Sequence, residues 1–203
     1  ALTTSLKRGG KEWWLNMKLI VGLGNPGIEY KNTRHNVGFE FLDYLCKKKN
    51  ISFEKEKFNA QYVFTKVDGE RVLLIKPLSY MNLSGTVVKK YVDYFKLSPE
   101  DILVIQDDLD MPLGRTKIVF DSRSGGHNGI KDIEKNLKTK KYIRLKIGIS
   151  NNKEIETKDY VLGKFNSDDL KCLNDTYERL SNLIDDFCLI SIDRMMNKYN
   201  RKS

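Results

Sequence analysis

The sequence predicts an α/β fold: a single three-layer domain, a mixed, mostly parallel central sheet flanked by helices. Three observations carry this. Short apolar runs at residues 19–23 and 102–105 read as strands buried on both faces. Segments with apolar residues at helical spacing alternate with such strands. One hairpin signal, Asp68-Gly69 between two β-rich runs, interrupts the alternation and makes the sheet mixed.

Each element has its own signal. After the first strand comes a long polar stretch, and then Val37, Phe41, Leu42 and Leu45 recur at helical spacing to about Lys48. Residues 60–67 and 71–75 form the hairpin strands, with Pro77 ending the second. Val87, Val88, Tyr91, Val92 and Phe95 mark the next helix. A strand at 102–105 runs into the polar stretch 106–114. A further strand at 117–120 precedes a glycine-rich loop at 122–129. Ile130, Ile133 and Leu137 form a short helix, and residues 142–149 alternate as a strand. Residues 150–166 are polar and irregular and suit a mobile lid or loop. Ser167 with Asp168 and Asp169 starts a helix. Leu170, Leu173, Tyr177, Leu180, Leu183, Ile184 and Phe187 line one face of a long helix, followed by a short one to about Tyr199.

Residues 1–16 stand apart. They hold both tryptophans and no apolar region of signal-peptide length. Met17 looks like the natural start, so 1–16 read as a flexible leader, an upstream or vector remnant, and 17–203 as the domain. A native extension is the competing reading.

Composition narrows the function classes. The chain has 203 residues, 40% apolar and 31% charged, with net charge +9. That balance describes a soluble globular domain, and no apolar run approaches the roughly 18 residues of a membrane span. The positive charge suits a polyanion such as RNA. A lysine-rich surface without a partner explains it equally well. Three cysteines without paired spacing argue against a disulfide framework and fit a reducing cytosol. With two histidines, no C-x-x-C and no H-E-x-x-H, no metal site is expected.

Gly22-Leu23-Gly24-Asn25-Pro26-Gly27 matches the dinucleotide fingerprint G-x-G-x-x-G, with Asp43 downstream. The fingerprint requires a helix to open at its third glycine. Asn32, Thr33, Arg34 and His35 intervene instead, which weighs against a nucleotide cofactor.

Four polar stretches follow predicted strands, at 24–36, 78–85, 106–114 and 122–129. Convergence at one rim of the sheet would gather Asn25, Asn82 and Asn128, both histidines and the carboxylates Asp107, Asp108 and Asp110. There is no serine nucleophile elbow and no Walker loop.

These motifs together resemble bacterial peptidyl-tRNA hydrolases. The matching residues are Gly22 to Gly27, Tyr30, Thr33-Arg34-His35-Asn36-Val37-Gly38, Lys76-Pro77, Tyr80-Met81-Asn82-Leu83-Ser84-Gly85, Asp107-Asp108-Leu109-Asp110 and Gly125-Gly126-His127-Asn128-Gly129. They run in order from Met17 to about Phe187. The resemblance implies hydrolysis of the ester joining a peptide to the 3′-terminal ribose of tRNA. It implies a cytoplasmic monomer with tRNA as its partner and with neither metal nor organic cofactor.

Physical chemistry then suggests roles. His35 suits a general base, since neutral imidazole predominates near pH 7. Asp107 suits the group that orients it. Asn25, Asn82 and Asn128 offer amide donors without charge, with Asn82 the first choice for the oxyanion. Asn82 as a plain helix cap is the alternative. By the family pattern, Asn25 helps separate peptidyl from free aminoacyl ends. Tyr30 and Tyr80 offer faces for the terminal adenine or its sugar. Met81 reads as site wall. His127 shapes the glycine-rich loop or contacts tRNA. Lys117, Arg123, Lys131, Arg144 and Lys146 are candidate phosphate contacts, with Lys146 where relatives tend to carry arginine. Asp121-Ser122-Arg123-Ser124 replaces part of the family's longer glycine run. A non-catalytic RNA-binding module and a dinucleotide enzyme are the rival functions.

Overall fold

The computed structural model describes residues 17–200, together with the backbone of a short antiparallel ladder, β1 (Lys7–Arg8) on β2 (Lys11–Glu12). The expected flexible leader otherwise lies outside the described residues.

The domain continues as β3 (Lys18–Gly22), α1 (Val37–Lys48), β4 (Lys55–Lys57), β5 (Ala60–Val67), β6 (Glu70–Pro77), α2 (Ser84–Phe95), β7 (Ile102–Asp108) and β8 (Thr116–Phe120). It ends with α3 (Asn128–Leu137), β9 (Ile143–Gly148), α4 (Thr157–Leu162), α5 (Ser167–Arg179), α6 (Leu183–Leu189) and α7 (Ile192–Tyr199). The sheet order is β4-β5-β6-β3-β7-β9-β8. The four inner strands β6, β3, β7 and β9 are parallel, and β4, β5 and β8 add antiparallel edges. The fold class read from the sequence is the one observed.

The period-two pleat divides the core into two layers. Ile20, Leu103 and Ile105 face α1 and the C-terminal helices, with Phe41, Leu45, Tyr177 and Ile184. Leu19, Val21 and Val104 face α2 and α3, with Val88, Tyr91, Ile130 and Ile133. Two glycines set how closely helices approach. A Cβ on Gly38, in the first turn of α1, would meet the Leu23 backbone at 2.5 Å and Ile105 O at 2.7 Å. A Cβ on Gly85, in the first turn of α2, would meet Asp132 O of α3 at 2.1 Å. The start of α1 is thereby seated against the C-terminal rim of the parallel strands, and the start of α2 against α3.

Several local expectations need correction. Residues 150–166 are irregular only in part: 150–156 are turns and coil, but α4 forms at Thr157–Leu162, where Tyr160, Val161 and Leu162 find apolar contact. The predicted long helix breaks at residues 180–182 into α5 and α6. Ser181 and Asn182, both weaker helix formers than the residues around them, stand at the break. The cap of α5 is Asn166, whose side chain accepts the Asp169 N–H at 2.8 Å, and Ser167 is the first helical residue. The short edge strand β4 carries only Lys-Glu-Lys and gave no apolar signal. Among the described residues no helix is long and apolar enough to cross a membrane.

The edge strand β8 is antiparallel to β9, so Phe120 pairs with Ile143 at the far end of the sheet. The following loop, 121–127, therefore starts at the wrong rim and climbs back to the site. Three of the four polar stretches lie at the C-terminal rim because their strands end there. The fourth reaches it by returning.

Candidate active site

The chain reverses its crossover direction around β3, with β6 on one side and β7 on the other. The crevice beyond such a switch point is where open α/β sheets hold ligands. Here it is a cleft of about 750 Å³, lined by residues from all four polar stretches and by α4.

At its base Asp107 is fully buried, one residue before the end of β7. Its two carboxylate oxygens engage two histidines. Oδ2 lies 2.7 Å from His35 Nδ1, and Oδ1 lies 2.8 Å from His127 Nε2. His35 sits in the 3₁₀ turn Arg34–Asn36 just before α1. Burial disfavours its charged form, but the Asp107 charge and hydrogen bond outweigh this, and its pKa is raised above the ordinary value. Burial pushes the Asp107 carboxyl up, but the two imidazoles outweigh it and hold the pKa well below the carboxylate range.

The hydrogen bonds assign the ring protons. His127 Nδ1 accepts the Ile130 N–H at 3.3 Å and so caps α3. Its proton is then on Nε2 and is given to Asp107. Both nitrogens of His127 are thus committed, whereas His35 uses only Nδ1 on Asp107 and keeps Nε2 for the cleft. His35, Asp107 and His127 also have the spacing of a metal-ligand group. A metal on His127 would have to displace its bond to Asp107 or the α3 cap.

The asparagines are held differently. Asn25 Oδ1 accepts the Met81 N–H at 2.7 Å, which ties the loop after β3 to the one after β6. Its backbone is gripped twice by Asn36, at 2.8 and 2.9 Å. Asn25 therefore keeps its amide N–H groups for the cleft. Asn82 and Asn128 are exposed at the cleft, in the 3₁₀ turn Met81–Leu83 and at the first residue of α3. Asn82 does not cap α2, whose N-cap is Leu83 without a side-chain bond. Met81 is buried in the wall.

Tyr80 stands half exposed at the mouth, with Tyr30 edge-on to it at 6.2 Å. Tyr30 itself does not line the cleft. The Tyr80 backbone has φ 63° and ψ 158°, a region that is essentially glycine's and costs a side-chain-bearing residue about 1–3 kcal/mol. The bond from Asn25 to the next N–H holds it there. Tyr80→Gly is expected to stabilise the fold by about 1 kcal/mol, strain relief exceeding glycine's entropic cost of about 0.5–1 kcal/mol. Chemical denaturation measures this, and a destabilised variant would contradict it.

The basic candidates divide. Lys117, Arg123 and Lys131 are exposed outside the cleft. Lys146 lines it and is ion-paired with Asp108 at 3.1 Å. Arg144 is a correction: it is 1% exposed, so it is not available to a phosphate. Its guanidinium donates to Gln106 Oε1 (2.6 Å), Ser122 O (2.9 Å) and Arg123 O (2.8 Å), clamping the returning loop.

Sequence reasoning assigned no role to Asn36, to the Asp108–Lys146 pair or to Thr157, Lys158, Val161 and Leu162 of α4. Asn36 lay inside a quoted motif and was legible there. The others depend on contacts distant in sequence. The third glycine of the G-x-G-x-x-G stretch, Gly27, precedes only the 3₁₀ turn Ile28–Tyr30, so the helix a dinucleotide needs is not there.

With this geometry in hand, likeness to known proteins is informative. A family model described as Peptidyl-tRNA hydrolase matches residues 19–203. The peptidyl-tRNA hydrolase of Lactobacillus helveticus is 45% identical over 185 residues, 91% of this chain and all of that protein. That of Bacillus cytotoxicus is 42% identical over the same shares. The crystal structure of peptidyl-tRNA hydrolase from Acinetobacter baumannii superposes with a TM-score of 0.86 at 34% identity, covering 93% of this chain and 97% of that one. The chain belongs to the peptidyl-tRNA hydrolase family.

Proposed function

We propose that the protein hydrolyses the ester between a peptide, or an N-blocked amino acid, and the 3′-terminal ribose of tRNA. One observation carries the mechanism: Asp107 holds His35 by Nδ1 at 2.7 Å and His127 by Nε2 at 2.8 Å. His35 is left as the imidazole with a free nitrogen at the cleft. His35 Nε2 takes a proton from water as the oxygen attacks the ester carbonyl. Asp107 fixes the tautomer and stabilises the imidazolium, the logic of a triad with water as nucleophile. The imidazolium then returns its proton to the departing ribose oxygen. His127 braces Asp107 from its other carboxylate oxygen.

The developing oxyanion needs donors, and one well-placed donor contributes roughly 2.7–4 kcal/mol. Asn82 is assigned this part. Asn25, whose oxygen is consumed by Met81, presents only N–H groups. These suit a peptide carbonyl and repel the ammonium of a free aminoacyl end. Asn128 completes the polar wall. Tyr80, backed by Tyr30, stacks on the terminal nucleotide, a contact worth about 1–3 kcal/mol. Lys117, Arg123, Lys131 and Lys146 meet phosphates of the tRNA body, Lys146 after exchanging Asp108 for phosphate. No step calls on a metal or organic cofactor.

The test compares N-acetyl-aminoacyl-tRNA with the same aminoacyl-tRNA bearing a free amine. Cleavage of the blocked ester alone is expected. Salt-dependent tRNA binding with neither ester cleaved would replace the hydrolase by an RNA-binding module.

A further inference from the structure

We infer that Arg34 is a positioning residue that latches α4, one wall of the cleft, to the backbone carrying His35. Residues 150–159 are all exposed, and the hydrogen bonds that tie them to the loop after β7 lie at their start, Ser150 N–H to Met111 O at 2.9 Å and Asn151 Nδ2 to Leu109 O at 2.8 Å. The wall they lead into is held at its other end. That end is gripped by Arg34 and its neighbours. Arg34 Nη1 donates to Tyr160 O at 3.1 Å, and the guanidinium lies over the Tyr160 ring at 4.2 Å and the Phe165 ring at 5.7 Å. The Arg34 N–H donates to Gly163 O at 3.0 Å, and the Phe165 N–H donates to Asn32 O at 3.0 Å. Tyr160 is pinned from behind as well, its hydroxyl donating to Ile149 O at 2.7 Å.

The chemistry suits arginine specifically. A cation is favoured at the C-terminal end of a helix, and Tyr160 O, which accepts the Gly163 N–H at 3.0 Å, takes the guanidinium as a second donor. The planar guanidinium also stacks on Tyr160 while donating to its carbonyl, which an ammonium does not reproduce. The opposite face of α4 presents Thr157, Lys158, Val161 and Leu162 to the cleft. The residue after the latch is His35. The latch therefore fixes the distance between the wall that meets bound substrate and the nitrogen that acts on it.

Side chains on α4 touch what is bound in the ground state and transition state alike. Loosening them weakens uniform binding, which raises KM and spares kcat. This kinetic arm rests on the hydrolase reading; the proteolytic arm below does not.

Two substitutions attack the same contact from its two sides. Arg34→Gln removes the guanidinium. Gly163→Ala leaves Arg34 in place but puts a Cβ 2.3 Å from its Nη1, at a backbone with φ −73° and ψ 151° that alanine adopts without strain. Both variants are expected to raise KM for N-acetyl-aminoacyl-tRNA about tenfold with kcat within about threefold of wild type. Both are also expected to be cut by trypsin after Lys153 and Lys158 several times faster than wild type, with the thermal midpoint nearly unchanged. Wild-type KM and wild-type cutting in either folded variant would overturn the latch. If Arg34→Gln does not fold, Gly163→Ala decides alone. If the wild type cleaves no ester, the hydrolase reading fails and the tryptic rates still decide the latch.

Discussion

His35→Ala is expected to lower kcat/KM on N-acetyl-aminoacyl-tRNA by about 10²–10⁴-fold, the usual contribution of a positioned general base, while the melting curve stays close to wild type. The side chain is buried against the cleft, and among the described residues its one polar partner is Asp107 at 2.7 Å. Asp107 retains its second partner, His127, in the variant. Asp107→Asn is expected to cost nearly as much, and the double variant no more than the worse single one, because the two act as a unit. The pH profile separates them. In the proposed mechanism neutral His35 is the active form, so kcat/KM is expected to rise with pH through the His35 pKa. Desolvation lowers that pKa, but the Asp107 charge and hydrogen bond raise it further, so the wild-type limb lies above the ordinary histidine value of 6.5. Asp107→Asn removes both raising influences and leaves desolvation. The residual activity of that variant is therefore expected to rise at lower pH than wild type. A limb that stays in place would deny Asp107 its part, and full activity in His35→Ala would remove the base.

What was legible in the sequence was what depends on near neighbours. The strand β3 and the first half of β7 are continuous apolar runs because both faces are covered. Asp68-Gly69 turned the hairpin where it was expected. The pairing of His35 with Asp107, separated by 72 residues, was reachable because each lies in its own short motif beside a strand end. His127 as the second partner of Asp107 was not. Its loop leaves β8 at the far rim, and only the antiparallel register of β8 on β9 shows that the loop must return. The wall formed by α4 was hidden for a related reason. Residues 150–156 have no periodicity, and the contacts that fix the helix they lead into come from afar, among them Arg34, more than a hundred residues earlier. Polarity in a sequence marks both solvent-facing loops and chain held by a distant partner, and composition does not distinguish them.

Arg144 shows the same ambiguity in a charge, and the expected effect of its loss is large. Arg144→Met is expected to destabilise the fold by about 2–4 kcal/mol, since each buried acceptor left without its donor costs about 1–3 kcal/mol. Gln106 Oε1 is wholly buried and bears the full cost, whereas the Ser122 and Arg123 carbonyls, at the loop, regain water in part. Urea unfolding measures the loss. The consequence reaches the site, because the clamped segment delivers His127 to Asp107. A loosened loop is therefore expected to lower kcat as well. Salt dependence distinguishes this from a phosphate contact. The slope of log affinity for tRNA against log salt is set by the number of phosphates neutralised. Lys117→Ala or Arg123→Ala is expected to flatten it by roughly one unit or less, whereas folded Arg144→Met keeps the wild-type slope. A variant as stable as wild type with a flatter slope would return Arg144 to the RNA surface. Arginine placed in a strand beside a glycine-rich loop reads as a nucleic-acid contact until its burial is known. Here burial makes it the clamp that brings the glycine-rich loop to the active rim.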